Sequence, residues 1–121
     1  MKKLLTILSA ICTFAGCKAS DFKSVSAEQF AQIIQDTTII RLDVRTAAEY
    51  QQGHIPGAIL IDVTQPSFID EANKQLPKDK TIALYCRSGR RSKTAAQLLS
   101  QKGYKVIELN TGFNSWTGER E

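Results

Sequence analysis

From Ser24 onward, segments with apolar residues every three or four positions alternate with short continuous apolar runs. Ser26-Ala27-Glu28-Gln29 has the form of a capping box, a hydroxyl acceptor with Gln three residues later. It predicts a helix to about residue 35 with Phe30, Ile33 and Ile34 on one face. Residues 38–42 read as a β-branched strand ending at Asp43. Thr46-Ala47-Ala48-Glu49 forms a second capping box, on a short helix that stops near Gly53. Residues 58–63 are a short apolar strand, and residues 67–75 are weakly helical up to Pro77. Thr81–Tyr85 is a continuous apolar run of the kind buried on both faces of a sheet, and it delivers Cys86 at its carboxyl end. Residues 92–102 form a helical pattern with Ala95, Ala96, Leu98 and Leu99 inward, and Gly103 stands where a C-terminal cap is needed. Lys105–Leu109 is the last strand, and a turn then leads to Phe113 and Trp116.

Strands separated by helices imply βαβ units, hence an α/β fold with a mostly parallel sheet covered on both faces. In such sheets ligands bind beyond the carboxyl ends of the strands. Cys86 falls at such a position.

The first sixteen residues do not fit this pattern. Lys2 and Lys3 precede an apolar run over residues 4–14, which is too short for a bilayer-spanning helix. Ala15-Gly16-Cys17 then supplies small residues before a cysteine. The order is that of a secretory signal peptide. It resembles the lipobox of bacterial lipoproteins, with Phe14 where that motif favours Leu. The expected organisation is a signal peptide over 1–16, a polar tether over 17–23 lipidated at Cys17, and one domain over 24–121. The chain would then be exported to the cell envelope and reach the membrane through its lipid anchor only.

Charge and cysteine content narrow the chemistry further. Loss of Lys2 and Lys3 leaves 14 basic against 12 acidic side chains, a charge of +2. With no basic stripe or nucleic-acid motif, no nucleic-acid partner is expected. Cys12 would leave with the signal and Cys17 would carry lipid, so Cys86 remains as a lone thiol. No Cys-x-x-Cys occurs, which argues against a metal site built on paired cysteines.

The candidate chemistry lies in Cys86-Arg87-Ser88-Gly89-Arg90-Arg91-Ser92, between a buried strand and a helix. Gly89 permits a tight turn. Backbone N–H groups in such a turn, with those opening the next helix, make an anion cradle around the sulfur. Arg87, Arg90 and Arg91 ring it, an environment that favours the nucleophilic thiolate. A lone cysteine is otherwise a small buried hydrophobe. The charge, Ser and Gly that follow Cys86 at once favour the site.

This loop resembles the active-site loop of the rhodanese family. Leu42-Asp43-Val44-Arg45, Glu49-Tyr50 and Gly53-His54-Ile55-Pro56-Gly57-Ala58 are similar to that family's second diagnostic stretch. Gly112-Phe113-Asn114-Ser115-Trp116 is similar to its terminal Gly-Gly-x-x-x-Trp, with Thr111 at the first glycine. The likeness spans residues 24–119 and implies a small, mostly parallel five-stranded sheet flanked by helices. It also implies a sulfurtransferase in which Cys86 takes a sulfane sulfur from a small anionic donor such as thiosulfate. The sulfur passes to cyanide, a thiol or a protein acceptor, with no metal or organic cofactor. Residues 87–91 would hold the persulfide, with Arg91 bracing the loop or facing substrate. Asp43, Arg45 and Ser92 would support the loop. His54, the only histidine, is expected to fix its turn, and Tyr50 and Trp116 to lie in the core.

Two other functions fit parts of the pattern. Related phosphatases and arsenate reductases use a cysteine loop for oxyanions. They place one residue more between cysteine and arginine than the four that separate Cys86 from Arg91, and they carry His where Tyr85 stands. A non-catalytic sulfur carrier, sensor or partner-docking module would retain the same loop.

Overall fold

The computed structural model describes residues 21–121. The signal-peptide segment and Cys17 lie outside the described residues. Five strands alternate with four helices: β1 Lys23–Val25, α1 Ala27–Ile33, β2 Ile40–Asp43, α2 Ala47–Gln52, β3 Ile59–Leu60, α3 Phe68–Gln75, β4 Thr81–Tyr85, α4 Arg90–Gln101 and β5 Lys105–Leu109. A 3₁₀ turn, Phe113–Ser115, follows.

The strands form one sheet in the order β1-β5-β4-β2-β3, and every pairing is parallel. β4 occupies the centre, with Leu84 opposite Leu42 of β2 and Glu108 of β5. Alternation along β4 divides the core. Ile82, Leu84 and Cys86 face the cluster built with Phe68 and Ala72 of α3 and Ala95, Ala96 and Leu99 of α4. Ala83 and Tyr85 face the other cluster, with Phe30, Phe113 and Trp116.

Both capping boxes form as their spacing predicts, at Ser26/Gln29 and Thr46/Glu49. The strand expected over 58–63 shrinks to Ile59–Leu60. β1 begins inside the expected tether, because Lys23, Ser24 and Val25 pair with Ile107, Glu108 and Leu109. α4 begins at Arg90, two residues earlier than the apolar pattern indicated. Arg90 and Arg91 therefore belong to its first turn and not to the loop.

Candidate active site

The alternation of β4 sends the Cys86 side chain toward α4, where it is 0% exposed. Its sulfur accepts a hydrogen bond from the Gly89 N–H at 3.1 Å. The thiol thus sits on the core at the base of the loop.

Gly89 caps α4 at φ 106°, a left-handed conformation. A Cβ there would stand 2.0 Å from the Asn110 carbonyl oxygen, and one on Gly112 would stand 2.3 Å from that of Arg87. The turn after β5 is packed directly against the cysteine loop. The Phe113 N–H donates to the Cys86 carbonyl at 2.8 Å, and the Asn114 N–H donates to that of Arg87 at 3.0 Å. Lys93 Nζ donates to the Gly89 carbonyl at 3.2 Å. Three loop carbonyls are thus held by partners outside the loop. The Gly89 N–H points at the sulfur, and the opening N–H groups of α4, which have no intrahelical acceptor, lie at the same end. This polarity suits an anion on the sulfur.

The arginines have different roles. Arg91 donates to both oxygens of Glu49, at 2.8 and 3.0 Å. Its hydrogen bonds hold the Glu49 carboxyl well below the usual carboxylate range, at about 2. Arg91 thereby ties the first turn of α4 to that of α2. Arg87 reaches the same carboxylate at 3.4 Å but leaves 61% of its side chain exposed. Ser88 in the loop and Arg90 in the first turn of α4 are both exposed. Glu49 also accepts from the Thr46 N–H at 3.0 Å, so one carboxylate caps α2 and ties it to α4.

Asp43 and Arg45 form a buried ion pair at 2.7 Å, and Arg45 also donates to the Gly53 carbonyl at 2.7 Å. The pair locks the turn after β2 and lays the Arg45 guanidinium 4.4 Å from the centre of the Phe113 ring. Ser92 donates to Glu108 at 2.6 Å. Glu108 is 0% exposed and also receives Ser24 of β1 and, at 3.1 Å, Lys93. A chain of polar contacts therefore links β1, β5, α4 and the Gly89 carbonyl. Neither Lys93 nor Glu108 belongs to any motif of the sequence. A charge flanked by Val106, Ile107 and Leu109 in β5 is the signal that marks Glu108.

His54 Nδ1 lies 2.9 Å from the Tyr50 carbonyl, which makes that nitrogen the donor, and the two rings stack at 3.7 Å. His54 thus holds its turn, with its polar partners among the described residues being Tyr50 and Glu121. Trp116 is buried edge-on to Phe30, whereas Tyr50 is only half-buried and donates to the Ala58 carbonyl at 2.6 Å. The Thr111 hydroxyl bonds that of Ser115 in the closing turn. Beside the loop a cleft of about 250 Å³ is lined by Arg45, Glu49, Gly53, Arg87, Phe113 and Arg120, among others. Among the described residues no cluster of His, Cys, Asp and Glu could hold a metal ion.

Comparison with known proteins matches this arrangement. The model of the Rhodanese-like domain matches residues 26–119. A "Sulfurtransferase" of Allochromatium vinosum is 36% identical over 94 residues, covering 76% of this chain and 85% of the relative. The "Putative sulfur carrier protein YrkF" of Bacillus subtilis is 35% identical over 105 residues, covering 85% of this chain but only 55% of that protein. Among solved structures, a "Rhodanese-like Domain Protein from Staphylococcus aureus" superposes with a TM-score of 0.71 at 25% identity, covering 81% of this chain and 94% of that one. With its cysteine at the end of a central parallel strand and its loop wound around the sulfur, the chain belongs to the rhodanese-like family.

Proposed function

We propose that this protein is a sulfurtransferase that moves a sulfane sulfur from a thiosulfate-like donor to a thiophilic acceptor through a persulfide on Cys86. The observation that carries the reading is the Gly89 N–H directed at the sulfur, at the end of α4 where further N–H groups are free. In the first half-reaction the Cys86 thiolate attacks the outer sulfur of thiosulfate. An Sγ–S bond forms, the S–S bond of the donor breaks, and its electron pair leaves with sulfite. Cyanide or a thiolate then attacks the outer sulfur, and the pair from the breaking Sγ–S bond returns to Cys86. The N–H donors stabilise whichever sulfur carries the negative charge. Arg87, exposed at the rim, draws the anionic donor in. Asp43, Arg45, Glu49, Arg91 and Ser92 hold the scaffold.

The test is thiocyanate formation from thiosulfate and cyanide. Wild-type protein turns over repeatedly and Cys86→Ser does not. Absence of thiocyanate with the wild type, for thiosulfate and for organic sulfane donors alike, contradicts the reading.

A sulfur carrier is the second reading, favoured by the name given to the Bacillus subtilis relative. It is distinguished by one stoichiometric loading of Cys86 that only a protein acceptor discharges. We also propose that the chain works in the cell envelope, lipidated at Cys17, on the pattern of residues 2–17.

A further inference from the structure

We propose that Arg87 and Arg120 form a two-point subsite for a small thiol carrying carboxylate groups, which is the acceptor that removes sulfur from Cys86. The proposal rests on the sulfurtransferase reading and adds the chemical class of the acceptor.

The argument begins with the charges along the cleft. Arg45 is matched by Asp43 at 2.7 Å, and Glu49 is matched by both guanidinium ends of Arg91. That leaves Arg87 with only the far oxygen of an already paired carboxylate, at 3.4 Å. Arg120 has no acidic partner within 4 Å among the described residues, and the neighbouring Glu121 carboxylate lies toward His54 instead, at 3.5 Å. Among the described residues Arg120 is therefore unmatched on the cleft, and Arg87 only shares a carboxylate with Arg91.

Arg120 is nevertheless held in place. Its guanidinium lies over the Phe113 ring, 4.2 Å from the centroid, and donates to the Trp116 carbonyl at 2.6 Å. Pairing of the tail, His54 with Glu121 through N–H···O bonds of 3.2 and 2.8 Å, brings Arg120 over the cleft. A guanidinium fixed by an aromatic face and a carbonyl keeps other N–H edges free for a carboxylate and loses little freedom on binding. Phe113 also ties the wall of the subsite to the cysteine loop, because its N–H donates to the Cys86 carbonyl at 2.8 Å. The cleft, about 250 Å³, suits a small metabolite better than a folded partner.

In the step itself, the acceptor thiolate forms a bond to the outer sulfur of the Cys86 persulfide. The Sγ–S bond breaks, its electron pair stays on Cys86, and the acceptor leaves as its own persulfide. No external oxidant or reductant is required.

The experiment compares mercaptosuccinate, 3-mercaptopropionate and 3-mercaptopropanol as acceptors, with thiosulfate as donor and cyanide as a fourth, carboxylate-free acceptor. The expected kcat/KM falls in that order of thiols, by about tenfold between the dicarboxylate and the alcohol. Arg120→Gln removes most of that preference through KM, Arg120→Lys restores part of it, and succinate competes with mercaptosuccinate more weakly in Arg120→Gln. Equal KM values for the three thiols, or an unchanged order in Arg120→Gln and Arg87→Gln, overturn the subsite. If thiols are indifferent while cyanide turns over, only this proposal fails. If cyanide also fails, the sulfurtransferase reading fails with it.

Discussion

Arg91 places both ends of its guanidinium on the two oxygens of Glu49, at 2.8 and 3.0 Å, across 42 positions of sequence. The pair joins the first turn of α4, which follows the cysteine loop, to the first turn of α2, where Glu49 closes the capping box. Its position makes Arg91 a brace, and it leaves the outer rim of the loop to Arg87.

The pH dependence of stability follows from this pair. The Arg91 hydrogen bonds hold the Glu49 carboxyl down at about 2 in the folded protein, against an ordinary 4.5. A carboxyl lowered on folding stabilises the native state above its unfolded value, and that contribution is lost as pH falls through the folded one. The stability attributable to Glu49 is therefore complete above about pH 4.5 and fades toward pH 2. By linkage a shift of that size is worth about 3 kcal/mol. Urea unfolding of wild type and Glu49→Gln is expected to differ by that amount at pH 7 and to converge near pH 2. A constant difference across the range would refute the assignment.

Gly89 is expected to tolerate no side chain. Its φ of 106° disfavours any L-residue, and a Cβ would meet the Asn110 oxygen at 2.0 Å. Gly89→Ala should lower stability by about 2 kcal/mol or more. Moving the one N–H that faces the sulfur should also slow Cys86 turnover by about a hundredfold. Urea titration and steady-state rates per folded molecule measure the two effects. A variant with wild-type rate would show that this N–H has no part in the chemistry.

Glu108 concentrates the buried polarity of the fold. Replacing it with Leu leaves Ser24 and Ser92 without their acceptor and Lys93 without its anion, at a cost of about 3 to 5 kcal/mol. Glu108→Gln keeps an acceptor oxygen and should cost less, about 1 to 2 kcal/mol. Hydrogen exchange should show β1 amides losing protection in both variants, because Ser24 is the side-chain tie between that strand and Glu108. Unchanged exchange at residues 23–25 would place the network's role elsewhere.

Much of this was legible in the sequence where the determinants are local. The capping boxes at Ser26 and Thr46 depend on residues three apart, and the apolar run of β4 announces a central buried strand. The loop after Cys86 stands out by composition alone. β1 was not legible, because Lys23, Ser24 and Val25 carry no apolar run and become a strand only by pairing with β5. The start of α4 was misplaced because its cap, Gly89, offers no side-chain acceptor and acts through its backbone angle. Contacts made across the fold were equally hidden. Glu49 reads as a helix cap until α4 brings Arg91 to it, and no motif contains Arg120. Nor does any local pattern show that the sulfur of Cys86 is fully covered, which follows from the strand alternation and the packing of α4.

The most direct test of the central claim is intact-protein and peptide mass spectrometry after incubation with thiosulfate, beside Cys86→Ser. The account predicts a gain of about 32 Da located on Cys86, discharged by cyanide or a thiol and absent from the variant. An unmodified Cys86 across thiosulfate and organic sulfane donors, or an equal gain in Cys86→Ser, would contradict it.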